Sequence, residues 1–353
     1  LLAKQDLLGT GFEERYGGTA LDTIGQTILV EEIARADATT SLIPIVQKLG
    51  ALPITMAGTE EQKDRYIPRL ASGEWLIAFA LTEAAAGSDV SSNRMRARLD
   101  GDCYVLNGNK RFITHGSVAN MLTVFALTDP DAGGRKGMSG FIVETDTPGF
   151  AVARVEHKMG IRGSPTAELN FDDVRVPVEN LLGAEGDGFH IAMDTLDRSR
   201  LSIAAQAVGI AQGAIDEATR YAADRRQFDQ RVIDFQGIQF MLADMVSQTE
   251  AARQLTYAAA ARVEAKASDL AYWTSCAKLI AGDTAMRVTT DAVQILGGYG
   301  YITEYPVERM MRDAKITQLY EGTQQIQRLI IARQILQRGG VGASKPKQEQ
   351  PRP

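Results

Sequence analysis

The sequence predicts an α+β fold in three parts, with helices at both ends and strands in the middle. Apolar residues repeat at helical spacing up to about residue 73 and again from about residue 186. Between them, short apolar runs are separated by Asp100-Gly101, Asn107-Gly108, residues 129–134 and Pro148-Gly149, which is turn chemistry. At 353 residues the chain also exceeds a typical single core. The expected units are an N-terminal helical domain over 1–74, a middle β domain over 75–185, a C-terminal helical bundle over 186–338 and a disordered tail over 339–353.

In the first unit Leu21, Ile24 and Ile28 fall at helical spacing. Thr59 with Gln62 three residues later forms a capping box ahead of a helix ending near Ser72-Gly73. Pro44 and Pro53 predict a bent or interrupted helix between these two. The middle unit offers apolar runs at 75–81, 97–99, 103–106, 111–114, 121–127, 139–143, 150–155 and 168–176. About eight short strands at that spacing predict a compact antiparallel β-barrel or sandwich. In the third unit long helical periods over 188–224, 234–265, 269–296, 306–316 and 323–337 suit a four-helix bundle with short additions.

Composition narrows the function classes. With 44% hydrophobic and 23% charged residues this is an ordinary soluble globular chain. A net charge of −6 without any long Lys/Arg run argues against a nucleic-acid surface, and no apolar run of about 18 residues is present to span a membrane. The opening lacks a basic-then-apolar export signal, and Leu1 in place of Met leaves open that the natural start lies upstream. Cys103 and Cys276, far apart and in segments of different periodicity, read as reduced packing residues in a reducing compartment. His115, His157 and His190 lack ligand spacing, so no metal site is expected.

The candidate chemistry centres on Leu319-Tyr320-Glu321-Gly322-Thr323. Thr323 reads as a helix N-cap, with Ile326, Leu329, Ile330 and Leu336 on one face up to the breaker Gly339-Gly340. Glu321 then sits just outside a helix N-terminus beside a glycine that permits close approach. Taken alone, an acidic residue there is also what the helix dipole favours. Thr82-Glu83 leading into Ala86-Gly87-Ser88-Asp89 offers exposed amides and hydroxyls for a phosphate or heterocycle, or simply a turn. Phe112 and Thr114 lie two apart and hence on one strand face, which suits a planar ring as well as a half-buried strand. The charges of Leu196-Asp197-Arg198-Ser199-Arg200 and the basic end of residues 221–226 read as a solvated helix face or as phosphate recognition. No Gly-x-Gly-x-x-Gly joins a strand to a helix, so a Rossmann site is not indicated.

Thr82-Glu83 with Ala86-Gly87-Ser88-Asp89, Phe112-Ile113-Thr114, the stretch 294–300, residues 309–315, and Tyr320-Glu321-Gly322-Thr323 with Ile326-Gln327-Arg328 resemble, in order, the signatures of the acyl-CoA dehydrogenase family. The likeness runs to about Gln337, and an ordered set of motifs is more specific than any one of them. It implies a flavoprotein with FAD between the β domain and the C-terminal helices, usually a homotetramer, active in fatty acid β-oxidation or branched-chain amino acid catabolism. By this resemblance Leu81, Thr82, Ser88, Phe112, Ile113 and Thr114 line the flavin. Arg225, Phe228, Gln236 and Gln294, Ile295, Leu296, Gly297 and Gly298 reach the FAD of a neighbouring subunit, and Thr323 and Gln325 complete that site. Ser88, Asp197, Arg200, Tyr320 and Gly322 contact the acyl-CoA.

The resemblance makes Glu321 the catalytic base: it removes the α-proton while the β-hydrogen leaves as hydride to flavin N5, giving a trans-2-enoyl-CoA. Electrons then pass to an electron-transferring flavoprotein. A dry pocket, to which Leu319 and Tyr320 would contribute, would raise the pKa of such a base. Hydrogen bonds from the Glu321 backbone N–H and a flavin hydroxyl would stabilise the enolate. Some relatives carry the base at the position of Ser199, which cannot serve here. Phe112 and His115 stand where Trp and Asn are often found, and the first helix that the resemblance implies ahead of Leu1 is expected to be absent. The alternatives are a relative acting on a carrier-protein thioester or reoxidised by oxygen, and a catalytically silent binding protein of the same fold. The compartment implied is cytoplasmic, or the mitochondrial matrix if a transit peptide has been removed. One methylene is worth only about 1–3 kcal/mol of discrimination, so chain length is not legible in the motifs; short straight or branched acyl groups are preferred.

Overall fold

The computed structural model describes residues 1–338, and the tail expected to be disordered, together with Gly339-Gly340, lies outside the described residues. Three helices open the chain: α1 (Thr23–Ala36), α2 (Ala38–Ala57) and α3 (Glu60–Ala71). Each begins at a side chain that accepts from a free backbone amide. Asp22 accepts from Gly25 N, Asp37 from Thr40 N, and Thr59 forms the predicted capping box with Gln62.

One expectation here is corrected: helix α2 is not interrupted but runs through Pro44 and Pro53, both buried. Packing on both sides outweighs the hydrogen bonds those prolines remove. Ile24 and Ile28 lie in a helix, as their spacing predicts, on the exposed side of α1; the buried face is Thr27, Val30, Glu31 and Ala34.

Eight strands follow: β1 (Ile77–Ala80), β2 (Arg96–Asp100), β3 (Cys103–Thr114), β4 (Met121–Leu127), β5 (Met138–Glu144), β6 (Phe150–Val155), β7 (Thr166–Pro177) and β8 (Leu181–Leu182). They form one sheet in the order β6-β7-β3-β2-β4-β5-β8, with β1 on β4. The sheet is mixed, because β1 and β2 both run parallel to β4. No pairing among the described residues closes β6 onto β8, so the expected antiparallel barrel is an open sheet. The predicted turn at Asn107-Gly108 is a register shift inside the continuous strand β3. At Gly108 the backbone has φ +145°, and an added Cβ would come within 2.9 Å of Met95, which explains a glycine within a strand. Every residue of β4 is buried: Met121 and Phe125 pack with Ile54 and Tyr66 of α2 and α3, while Leu122, Val124 and Ala126 join the sheet's other core.

The C-terminal part contains α4 (Gly188–Asp224), α5 (Gln236–Glu264), α6 (Leu270–Leu296), α7 (Val307–Ala314) and α8 (Gln324–Arg338). Helices α4, α5 and α6 pack on one another, α8 lies on α6, and α1 packs against α4 and α5. Small residues let α1 and α4 approach closely. A Cβ at Gly209 would lie 2.2 Å from the Glu31 carbonyl oxygen, and one at Gly213 would lie 2.3 Å from that of Arg35. The face predicted for α8 is only partly buried: Leu329 and Leu336 are exposed, and the inward positions are Gln324 and Gln327. Those two glutamines turn out to serve the site.

Candidate active site

Residues 319–323 form the turn that joins a short 3-10 helix, Lys315–Gln318, to α8. Thr323 Oγ1 accepts from Ile326 N at 3.3 Å, the cap read from the sequence. Glu321 has φ +50° and Gly322 φ +89°. A left-handed backbone costs a non-glycine residue about 1–2 kcal/mol, so neighbours must hold it. Gln327 Nε2 donates to the carbonyls of Gly322 at 2.9 Å and Glu321 at 3.3 Å, and Lys278 Nζ donates to the Gly322 carbonyl at 2.8 Å. The Tyr320 hydroxyl pairs with Gln206 Oε1, and Gln206 Nε2 donates to the Ala38 carbonyl and to Ser41 Oγ of α2. Three helices therefore fix this turn.

The Glu321 carboxylate accepts from Ser199 Oγ of α4 at 2.6 Å. Burial pushes its pKa above the ordinary carboxylate value, while the Ser199 hydrogen bond and the charges of Arg200, Lys278 and Lys48 pull it back. Leu319, expected to help dry the pocket, is half exposed, so the burial comes from the helices around it. Arg200 is buried and paired with Asp197, and its Nε has no partner among the described residues. Burial raises the Asp197 pKa, with Arg200 opposing.

A second cluster lies on the sheet. Leu81 is buried, Thr82 O accepts from Arg111 N at 2.8 Å, and Lys110 Nζ reaches Leu81 O at 3.0 Å and Glu83 Oε1 at 2.8 Å. Glu83 also accepts from the amides of Arg94 at 2.7 Å and Met95 at 3.0 Å, which pins the loop carrying exposed Ser88. The register of β3 shifts between Lys110 and Ile113, Phe112 takes φ +57°, and its ring is left 59% exposed while Ile113 is buried. Thr114 closes the strand. His115 is buried, and burial, reinforced by Lys158, pushes its imidazole down to about 4, so it stays neutral.

A third group forms an open cleft where α4 ends and α6 ends. Tyr221, Arg225, Val232, Ile295, Leu296, Gly297, Gly298 and Tyr299 line it, with the Arg225 guanidinium 5.2 Å from the Tyr299 ring centroid. An added Cβ at Gly87, Gly297 or Gly298 would meet nothing within 4 Å, so these backbones face open space. Exposed Phe112, and separately an arginine in a cleft lined by Gly297 and Gly298, are surfaces that fit a flat heterocycle and a pyrophosphate.

Glu321, Tyr320, Gly322, Thr323 and Ser199 are thus brought together, with Arg200 close enough to act on Glu321 and paired with Asp197. Leu81, Thr82 and residues 112–114 form the second group. No hydrogen bond among the described residues links Ser88 to Asp197 or Arg200, or links the second group to the cleft. Phe228 is 89% exposed with its ring edge-on to Phe235, and Gln236, Gln294 and Gln325 are exposed beside the cleft or on α8. Lys278 and Gln206 were not found from the sequence. The available signal was a lysine on a helix face otherwise made of Thr274, Ala277, Ala281 and Ala285, where a charge cannot be solvated. Among the described residues no group of three His, Cys, Asp or Glu is placed to hold a metal, neither Cys103 nor Cys276 is in a disulfide, and no helix is long and apolar enough to cross a membrane.

A helical, β and helical fold that sets a half-buried carboxylate among cations, with an exposed aromatic ring and an arginine cleft on the same chain, suits a flavin-dependent oxidoreductase. Family models described as the N-terminal, middle and C-terminal domains of acyl-CoA dehydrogenase match residues 1–74, 78–174 and 186–336. An acyl-CoA dehydrogenase of Bacillus subtilis is 50% identical over 95% of this chain and 88% of its own length. The structure of butyryl-CoA dehydrogenase from Megasphaera elsdenii superposes with a TM-score of 0.93 at 47% identity, covering 95% of this chain and 88% of that one. An acyl-CoA dehydrogenase from Bacillus anthracis solved with FAD superposes with a TM-score of 0.91 at 36% identity, over 97% of this chain and 61% of that one. The chain belongs to the acyl-CoA dehydrogenase family of FAD flavoproteins.

Proposed function

We propose that this chain oxidises a short-chain acyl-CoA thioester to its trans-2-enoyl-CoA, with Glu321 as the base. The observation that carries this reading is the Glu321 turn: a left-handed carboxylate held by three helices, hydrogen-bonded to Ser199 at 2.6 Å, and raised in pKa by burial. A carboxylate in that state is a stronger base than one in water, and its strained backbone keeps it aimed. Glu321 takes the α-proton of the thioester. Bound FAD supplies the acceptor for the hydride that leaves the β-carbon. Arg200, buried with an unpartnered Nε, is available to the acyl-CoA. Leu81, Thr82, Ser88 and residues 112–114 would hold the flavin. The cleft of Arg225 and residues 295–298, with Phe228, Gln236, Gln294, Thr323 and Gln325, would take the FAD of a second copy in a homo-oligomer, as a tetramer. The butyryl-CoA dehydrogenase likeness supports a short acyl group. Electron-transferring flavoprotein is the acceptor this reading names, and the cytoplasm of a bacterium the setting.

Glu321→Gln tests the assignment. The variant keeps its FAD but loses turnover by about a hundredfold or more, the usual worth of a general base. A near-normal rate of flavin reduction in that variant would remove Glu321 from the chemistry.

A further inference from the structure

Lys278 is 0% exposed in the middle of α6, and none of the ion pairs among the described residues includes it. Its Nζ donates to the Gly322 carbonyl at 2.8 Å and to Gln324 Oε1 at 3.1 Å, both neutral acceptors. An ammonium carries three N–H groups, and the described residues provide acceptors for two. Burying a charge on neutral partners is costly, and a well-packed apolar residue would give the helix more stability at this site. The cost is explained by what lies next to it, because one acceptor is in the turn that carries Glu321 and the other is the first residue of α8, directly after that turn.

We propose that Lys278 is a positioning residue for Glu321, clamping the Gly322 carbonyl so that the left-handed turn stays closed and placing a positive charge near the carboxylate. The inference rests on the reading of Glu321 as base. The groups that act on Glu321 come from four elements: Ser199 and Arg200 on α4, Lys278 on α6, Lys48 on α2, and Tyr320 on the turn itself. Lys278 in turn feels Glu321, Arg200 and Asp283. Lys48 is half-buried and held by Gln26, and Arg200 is paired with Asp197, so Lys278 is the cation of this set that touches the turn and is not already neutralised by a carboxylate in direct contact. Burial pushes its ammonium down to about 8, which leaves it charged at neutral pH.

The test uses the FAD-loaded enzyme with Lys278→Gln, which removes the charge but keeps an N–H donor, and Lys278→Arg, which keeps the charge. The Glu321 carboxyl is titrated by infrared difference spectroscopy against Glu321→Gln, and the pH profile of anaerobic flavin reduction is measured beside it. In Lys278→Gln both midpoints should move up by about one unit, a tenfold change in proton affinity, because an opposite charge that favoured the ionised form is gone. Lys278→Arg should return them towards the parent. A folded Lys278→Gln with parental midpoints overturns the proposal, as does a pair in which the neutral variant fails to fold and Lys278→Arg does not, since the charge would then serve stability alone. If instead Glu321→Gln reduces its flavin normally, the base assignment has failed while the infrared shift still reports on Lys278.

Discussion

Glu321 stands in a backbone region that most side chains avoid, and the residues around it divide into those that hold the turn and those that set its charge. Gln327, Gln206 and Lys278 hold it by hydrogen bonds to carbonyls and to Tyr320. Ser199 acts on the charge. Its hydroxyl donates to the ionised carboxylate, which lowers the Glu321 pKa against the larger upward push of burial. With Glu321 as the proposed base, the ionised form is the working one, so activity should rise with pH through its folded pKa, and removing a donor should move that rise upward. Ser199→Ala should therefore shift the acid limb of kcat/KM to higher pH by up to about one unit. A pH series of anaerobic stopped-flow reductions checks this, and a limb that stays in place would show that the hydroxyl does not bond the ionised form. The contact brings side-chain oxygens of α4 and of the turn within 2.6 Å of each other.

At the scale of elements, the site depends on helices packed without slack. Helix α1 lies so close to α4 that Gly209 faces the Glu31 carbonyl directly. Gly209→Ala would set a methyl 2.2 Å from that oxygen, and backbone cannot swing aside as a side chain would. The expected loss is about 1–3 kcal/mol, read as a lower thermal midpoint, and an unchanged midpoint would mean the two helices can part. On the sheet the decisive element is β3. Its slip between Lys110 and Ile113 turns Phe112 outward and Ile113 inward, reversing the alternation that a regular strand imposes. The buried Lys110–Glu83 pair fixes the neighbouring loop at the same point.

Across the whole molecule, much was legible in the sequence because helical periodicity survives in long segments: every bundle helix begins and ends within two residues of its predicted span. Thr323 and the Thr59 capping box were legible because caps are local chemistry. Sheet closure was not, since the parallel pairing of β1 and β2 with β4 joins distant segments and leaves no turn signal. Lys278 was missed for a related reason, as its partners lie 44 and 46 residues away.

The two surfaces proposed for the flavin, one on β3 and one around Arg225, are joined by no hydrogen bond among the described residues. If the second serves a neighbouring copy, Arg225→Ala should lower FAD content at dilute protein and loosen the oligomer together. Equilibrium sedimentation with flavin absorbance follows both, and full flavin retention on dilution would separate Arg225 from the cofactor.

The most direct test of the central claim is an anaerobic titration of the purified, FAD-loaded protein with butyryl-CoA, a branched short acyl-CoA and a medium-chain acyl-CoA, followed by the flavin band in the visible spectrum. The short acyl-CoAs should bleach the band at close to one equivalent per flavin, and the enoyl product should appear in the same proportion. A yellow protein that no acyl-CoA bleaches would contradict that claim.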